Sequence, residues 1–107
     1  MKFGLKENII AQINNILSDF TQVESAIIYG SRAKGNYKPG SDIDFTFTGT
    51  NVNLKVLNNI SLRLDDLLLP YTFDLSVFHQ IDNEDLIEHI NRVGISFYQR
   101  QPVGENK

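Results

Sequence analysis

Ten residues separate the pair Gly30-Ser31 from two aspartates set one residue apart, Asp42 and Asp44. The glycine permits a sharp turn and lets an anion come close to the backbone; the serine adds a hydroxyl and its own N–H. Any helical turn starting there would aim further N–H groups at the anion. The two carboxylates are hard oxygen ligands of the kind that hold Mg²⁺ or Mn²⁺, and the chain has no Cys to make a softer site. Phosphate and divalent metal are what an enzyme working on nucleotides must hold. A third acid, Asp74, stands at the centre of Tyr71-Thr72-Phe73-Asp74-Leu75-Ser76-Val77.

Each piece alone has a plainer reading. An isolated Asp-x-Asp on a strand is usually a solvated edge. An isolated Gly-Ser is usually a strand-ending turn, and Arg32 and Lys34 by themselves would be surface charges. Gly30 to Gly35 also satisfies the opening G-x-x-x-x-G of a P-loop, but Asn36 and Tyr37 follow where Lys and Ser/Thr are required, so that reading fails. The combination argues for a site. Two ions about 3.5–4 Å apart can brace the attacking and leaving oxygens of a phosphoryl displacement. Asp74, near the incoming hydroxyl in such a site, could take its proton, and Arg32 and Lys34 could neutralise a polyphosphate.

Strands must position these acids. Asp42 to Thr48 alternates, with Asp42, Asp44, Thr46 and Thr48 on one face and Ile43, Phe45 and Phe47 on the other. Asp42 and Asp44 are therefore roughly 6.5–7 Å apart on one side of one strand. Tyr71 to Val77 alternates again, so Asp74 joins them if the two strands are neighbours. Ser25 to Tyr29 is a short buried strand ending at Gly30, and Ser31 to Ser41 is a loop with room for one helical turn. Ile9, Ile10, Ile13, Ile16, Leu17 and Phe20 have helical spacing. Asn53 is placed to cap a helix with Leu57, Ile60, Leu64, Leu67 and Leu68 on its core side, ended by Pro70. Asp82 is placed to cap a last helix carrying Leu86, Ile87, Ile90 and Val93, stopped by Gly94, and Ile95 to Tyr98 adds a short strand. The expected fold is α+β: a small mixed β-sheet with helices on one face and the three acids on the other.

The 107 residues suit one domain, expected over 1–100, with 101–107 as a flexible tail. A net charge of −3 gives no basic excess for stable nucleic-acid binding. No apolar run is long enough for a membrane span, and the N-terminus lacks a signal-peptide core. A cytoplasmic location fits the absence of Cys.

The full spacing of Gly30-Ser31 and Asp42-Ile43-Asp44 resembles the signature of the DNA polymerase beta-like nucleotidyltransferase superfamily. The run Gly30-Ser31-Arg32-Ala33-Lys34-Gly35 followed by Ser41-Asp42-Ile43-Asp44 is most similar to its minimal, MNT-type members. The resemblance covers Ser25 to Val77 well and the helix ending at Gly94 loosely. It implies a nucleotidyltransferase fold and transfer of a nucleoside monophosphate to a hydroxyl, with loss of pyrophosphate. It implies Asp42 and Asp44 as ligands of two Mg²⁺ ions (or Mn²⁺), Asp74 as ligand of the catalytic ion, and Gly30 and Ser31 as the grip on the phosphates. Arg32 is implied as an additional phosphate contact.

Such proteins are commonly encoded beside a HEPN-domain partner, as antitoxin of a toxin–antitoxin pair, and transfer AMP from ATP to a tyrosine of the HEPN toxin. The resemblance therefore implies a HEPN partner in a hetero-oligomer. The short chain leaves no room for a separate acceptor domain, which favours a partner-borne hydroxyl or a homodimer that completes a cleft. Two other functions remain open: nucleotidyl transfer to a small molecule, as in antibiotic-modifying relatives, and non-catalytic neutralisation of a partner by binding. His79 and His89 read as ordinary loop and helix residues.

Overall fold

The computed structural model describes residues 1–101; the expected tail, apart from Gln101, lies outside the described residues. Helix α1 spans Glu7–Ser18, strand β1 Ser25–Tyr29, helix α2 Gly30–Lys34 and strand β2 Ile43–Thr48. Helix α3 spans Leu54–Asp65, strand β3 Phe73–Val77, helix α4 Glu84–Val93 and strand β4 Ile95–Gln99, with a 3₁₀ turn at Phe78–Gln80.

The four strands form one mixed sheet in the order β3-β2-β1-β4. β1 runs antiparallel to β2 and β4, whereas β2 and β3 are parallel. Parallel neighbours need a crossover, and α3 supplies it. Ile43, Phe45 and Phe47 from β2 are fully buried with Ala26 and Ile28 from β1, beneath Ile13, Leu17, Ile60 and Leu64 of α1 and α3. These two amphipathic helices form the expected layer on one face. α4 adds a wall on the other side: an added Cβ at its C-cap Gly94 would stand 2.7 Å from Ile27, which alternates with Ala26 and Ile28 and so faces away from that core.

Asn53 caps α3 as expected, accepting from the Val56 N–H at 3.0 Å. At α4 the cap is Asn83 rather than Asp82, its Oδ1 accepting from Asp85 and Leu86. Leu68 also departs from expectation. It is 89% exposed with φ +55°, because α3 ends at Asp65 and the chain turns toward Pro70 before Leu68 can continue the apolar stripe.

Candidate functional site

The site is built where β1 ends and β2 and β3 begin. β2 pairs with β3 so that Asp44 stands directly opposite Asp74. On a twisted sheet such partners have backbones about 4.8 Å apart. The apolar residues on either side of each acid fix this orientation. With Phe45 and Phe47 in the core, and Phe73, Leu75 and Val77 packed against or within it, Asp44 and Asp74 must face the opposite side. Asp42 lies one residue before β2 and is exposed, as is Asp74, while Asp44 is half-buried.

The crowding has electrostatic consequences. Partial burial pushes the Asp44 carboxyl above the usual carboxylate range, and the Asp74 and Asp42 carboxylates push it further; Arg32 acts in the opposite direction, as does His89 in the form that carries a second proton. Beside it, burial raises the Tyr29 hydroxyl, the Ser76 hydroxyl partly offsets this, and Asp74 and Asp44 raise it again. The donors are oxygens only, which suits a hard divalent cation. Among the described residues no three or more acids or histidines are drawn together closely enough to hold a metal ion; carboxylates repel one another without a counter-charge.

Gly30 begins α2 with φ +73°, and a Cβ there would fall on the Asp44 carboxylate. The glycine is thus required twice, for its backbone conformation and for its missing side chain. α2 is the single helical turn the loop had room for. It ends at Gly35, whose φ of +91° is the left-handed cap.

Arg32 departs from its expected part. Its side chain is enclosed, the residue being 2% exposed. Nε and Nη2 donate to the Ser41 carbonyl at 3.1 and 2.9 Å, Nη2 also to Pro39, and Nη1 to Phe3 at 2.8 Å. The guanidinium lies between the rings of Tyr37 and Tyr71, 5.3 and 4.9 Å from their centroids. Its Phe3 acceptor sits in a tight N-terminal hairpin, where Phe3 and Gly4 both have positive φ and Lys2 pairs with Leu5. A planar fork of donors can bridge several carbonyls in this way. Arg32 therefore clamps the loop that delivers Asp42 instead of facing an incoming phosphate. Arg32→Lys, whose compact ammonium cannot reach the separate carbonyls that the planar fork spans, is expected to lose about 2 kcal/mol of stability. Thermal melting would show this as a fall of about 10 °C. An unchanged melting temperature with weakened binding of a polyphosphate anion would restore the phosphate role.

His89 joins the site unannounced. The Gly30 N–H donates to its Nε2 at 3.2 Å. The available signal was positional: His89 shares a helical stripe with Leu86, Ile90 and Val93, so it had to face inward. His79 is elsewhere, at a recess of about 380 Å³ beyond the far ends of β2 and β3, with Thr48, Gly49 and Phe78.

The sequence matches the family described as Polymerase beta, Nucleotidyltransferase over residues 11–103. The chain belongs to that nucleotidyltransferase family. None of the curated proteins matches it. Among solved structures it is similar to a chain of a toxin–antitoxin complex with AMP-PNP, at 18% identity and TM-score 0.68, covering 91% of this chain and 76% of that one. It is likewise similar to a chain of the tri-AMPylated Shewanella oneidensis HEPN toxin in complex with MNT antitoxin, at 15% identity and TM-score 0.66, covering 91% and 75%. A chain of the MntA–HepT toxin–antitoxin structure matches at 15% identity and TM-score 0.64, covering 90% and 74%. At these identities the nucleotidyltransferase fold is what is shared. Among the described residues no helix is long and apolar enough to cross a membrane.

Proposed function

We propose that this nucleotidyltransferase transfers AMP from ATP to a hydroxyl of a HEPN-domain partner and so acts as its antitoxin. The observation that carries the catalytic half is the register that sets Asp44 beside Asp74, with Gly30 against Asp44. The partner half is supported by the likeness to structures of HEPN–MNT complexes. The reading includes a hetero-oligomer of the two proteins in the cytoplasm.

Asp42, Asp44 and Asp74 would hold the Mg²⁺ ions, which when bound supply positive charge to the triphosphate and lower the cost of ionising the acceptor hydroxyl. Ser31 offers its N–H and hydroxyl to the phosphates. The acceptor oxygen attacks the α-phosphorus, the bond to the bridging α–β oxygen breaks, and pyrophosphate leaves. Asp74 would receive the acceptor's proton, a role supported by its exposure on the edge strand of the sheet.

The test is incubation with ATP, Mg²⁺ and the product of the neighbouring gene, followed by mass spectrometry of both chains. An AMP adduct on a partner hydroxyl is expected. Nucleotide binding without any protein adduct, but with transfer to a small hydroxyl compound, would give the reaction to the small-molecule class. Silencing of the partner by an Asp42→Asn/Asp44→Asn chain would make the protein a binding antitoxin.

A further inference from the structure

We infer that His89 is a positioning residue for the nucleotide turn: it holds the peptide at Gly30 and leaves the phosphate grip to Ser31. This deepens the nucleotidyltransferase reading and rests on it. Nε2 accepts the Gly30 N–H at 3.2 Å, so the imidazole that makes this bond is neutral with its proton on Nδ1. The ring is held edge-on to Tyr29, with centroids 6.1 Å apart and planes at 79°. Tyr29 is the last residue of β1 and Gly30 the first of α2, so the bonded peptide is the one at which the chain leaves the sheet.

Fixing that peptide fixes the direction in which α2 starts, and hence where the Ser31 N–H and hydroxyl face. It also holds the Gly30 backbone in its left-handed conformation against Asp44. The Gly30 N–H is already partnered, so the contribution of Gly30 to an anion site is its missing side chain, while Ser31 supplies the donors. A single contact spanning 59 residues of sequence thereby ties α4 to both the phosphate turn and the metal acids.

The test compares the full-length chain with His89→Leu, which removes the acceptor, and His89→Gln, whose Oε1 can accept the same N–H. Binding of AMP-PNP with Mg²⁺ is measured by calorimetry, transfer kinetics with ATP, and exchange of the Gly30 amide by ¹⁵N spectroscopy. His89→Leu is expected to weaken AMP-PNP binding and raise the KM for ATP on the order of tenfold, the scale of one lost hydrogen bond. kcat should change by less than about threefold, the pattern of lost ground-state binding. His89→Gln should recover most of the affinity, and the Gly30 amide should exchange fast only in His89→Leu. Wild-type affinity in His89→Leu, or no rescue by a folded His89→Gln, overturns the inference alone. So does a fast-exchanging Gly30 amide in the wild type, which decides the matter even if His89→Leu fails to fold. A wild type that binds no nucleotide overturns the proposed function and this inference with it.

Discussion

Asp44→Asn is expected to disable nucleotidyl transfer and at the same time to raise the melting temperature of the metal-free protein. The two effects have one cause. Asp44 sits half-buried beside Asp74 and near Asp42, and both burial and repulsion raise its pKa. A carboxyl whose folded pKa is raised binds its proton more tightly in the folded chain. Its stabilising contribution is fully present below the unfolded value of about 3.9 and is lost as pH rises through the folded value. At neutral pH the ionised group therefore opposes folding, and the neutral amide does not. We expect a gain of roughly 2–5 °C at pH 7, the shift that about half a kcal/mol produces in a domain of this size. The gain should shrink toward zero below about pH 4, where wild-type Asp44 is itself neutral. Mg²⁺ should stabilise the wild type by mass action and the Asp44→Asn variant much less. Transfer should fall by on the order of 10³-fold or more, the scale of removing one preorganised electrostatic stabiliser. A melting temperature that drops at pH 7 would contradict the crowded-carboxylate picture.

Gly30→Ala is expected to be nearly as damaging to transfer while leaving a folded chain. The new Cβ falls on the Asp44 carboxylate, which is the movable end of a side chain and can swing aside. The fold survives that motion, but a catalytic group misplaced by about 1 Å costs on the order of 10²-fold in rate. The left-handed backbone adds about 1 kcal/mol of strain for a residue with a side chain, a fall of roughly 4–8 °C. Gly35→Ala is the internal control. It has φ +91° and open space around its Cα, so it bears the backbone cost alone and should keep its activity. Steady-state transfer rates and melting curves of the two variants would separate these contributions; equal loss of activity in both would mean that backbone strain, not contact with Asp44, disables the site.

Much of this arrangement was legible in the letters because it rests on short-range patterns. The alternation from Ile43 to Thr48 fixes which side Asp44 takes, and that from Phe73 to Val77 does the same for Asp74. The Asn53 cap is likewise local. What escaped depends on distance in the chain or on near-equivalent neighbours. Asp82 and Asn83 are both competent caps, and the choice between them is a matter of one residue in the approach to α4. Arg32 stands among Gly, Asn, Lys and Pro, a composition that reads as solvent-exposed, yet its acceptors come from residues 3, 39 and 41 and its second ring from Tyr71. Neither its burial nor the bond from Gly30 to His89 has a local signature. Alternation also left the β2–β3 pairing open, because it names the faces but not the neighbour.

The clamp at Arg32 has a temporal consequence. Its partners are drawn from the N-terminal hairpin at Phe3 and from Tyr71, just ahead of β3. Closing contacts between such distant stretches is the slow part of assembling a small mixed sheet. A growing polypeptide that has already made β1, α2 and β2 holds every residue of the Gly30–Asp44 segment and all three carbonyl acceptors of Arg32, but still lacks the Tyr71 ring and the strand that carries Asp74. A chain stalled or cleaved before Tyr71 would therefore carry the motif without Asp74 and without the parallel strand that sets it opposite Asp44.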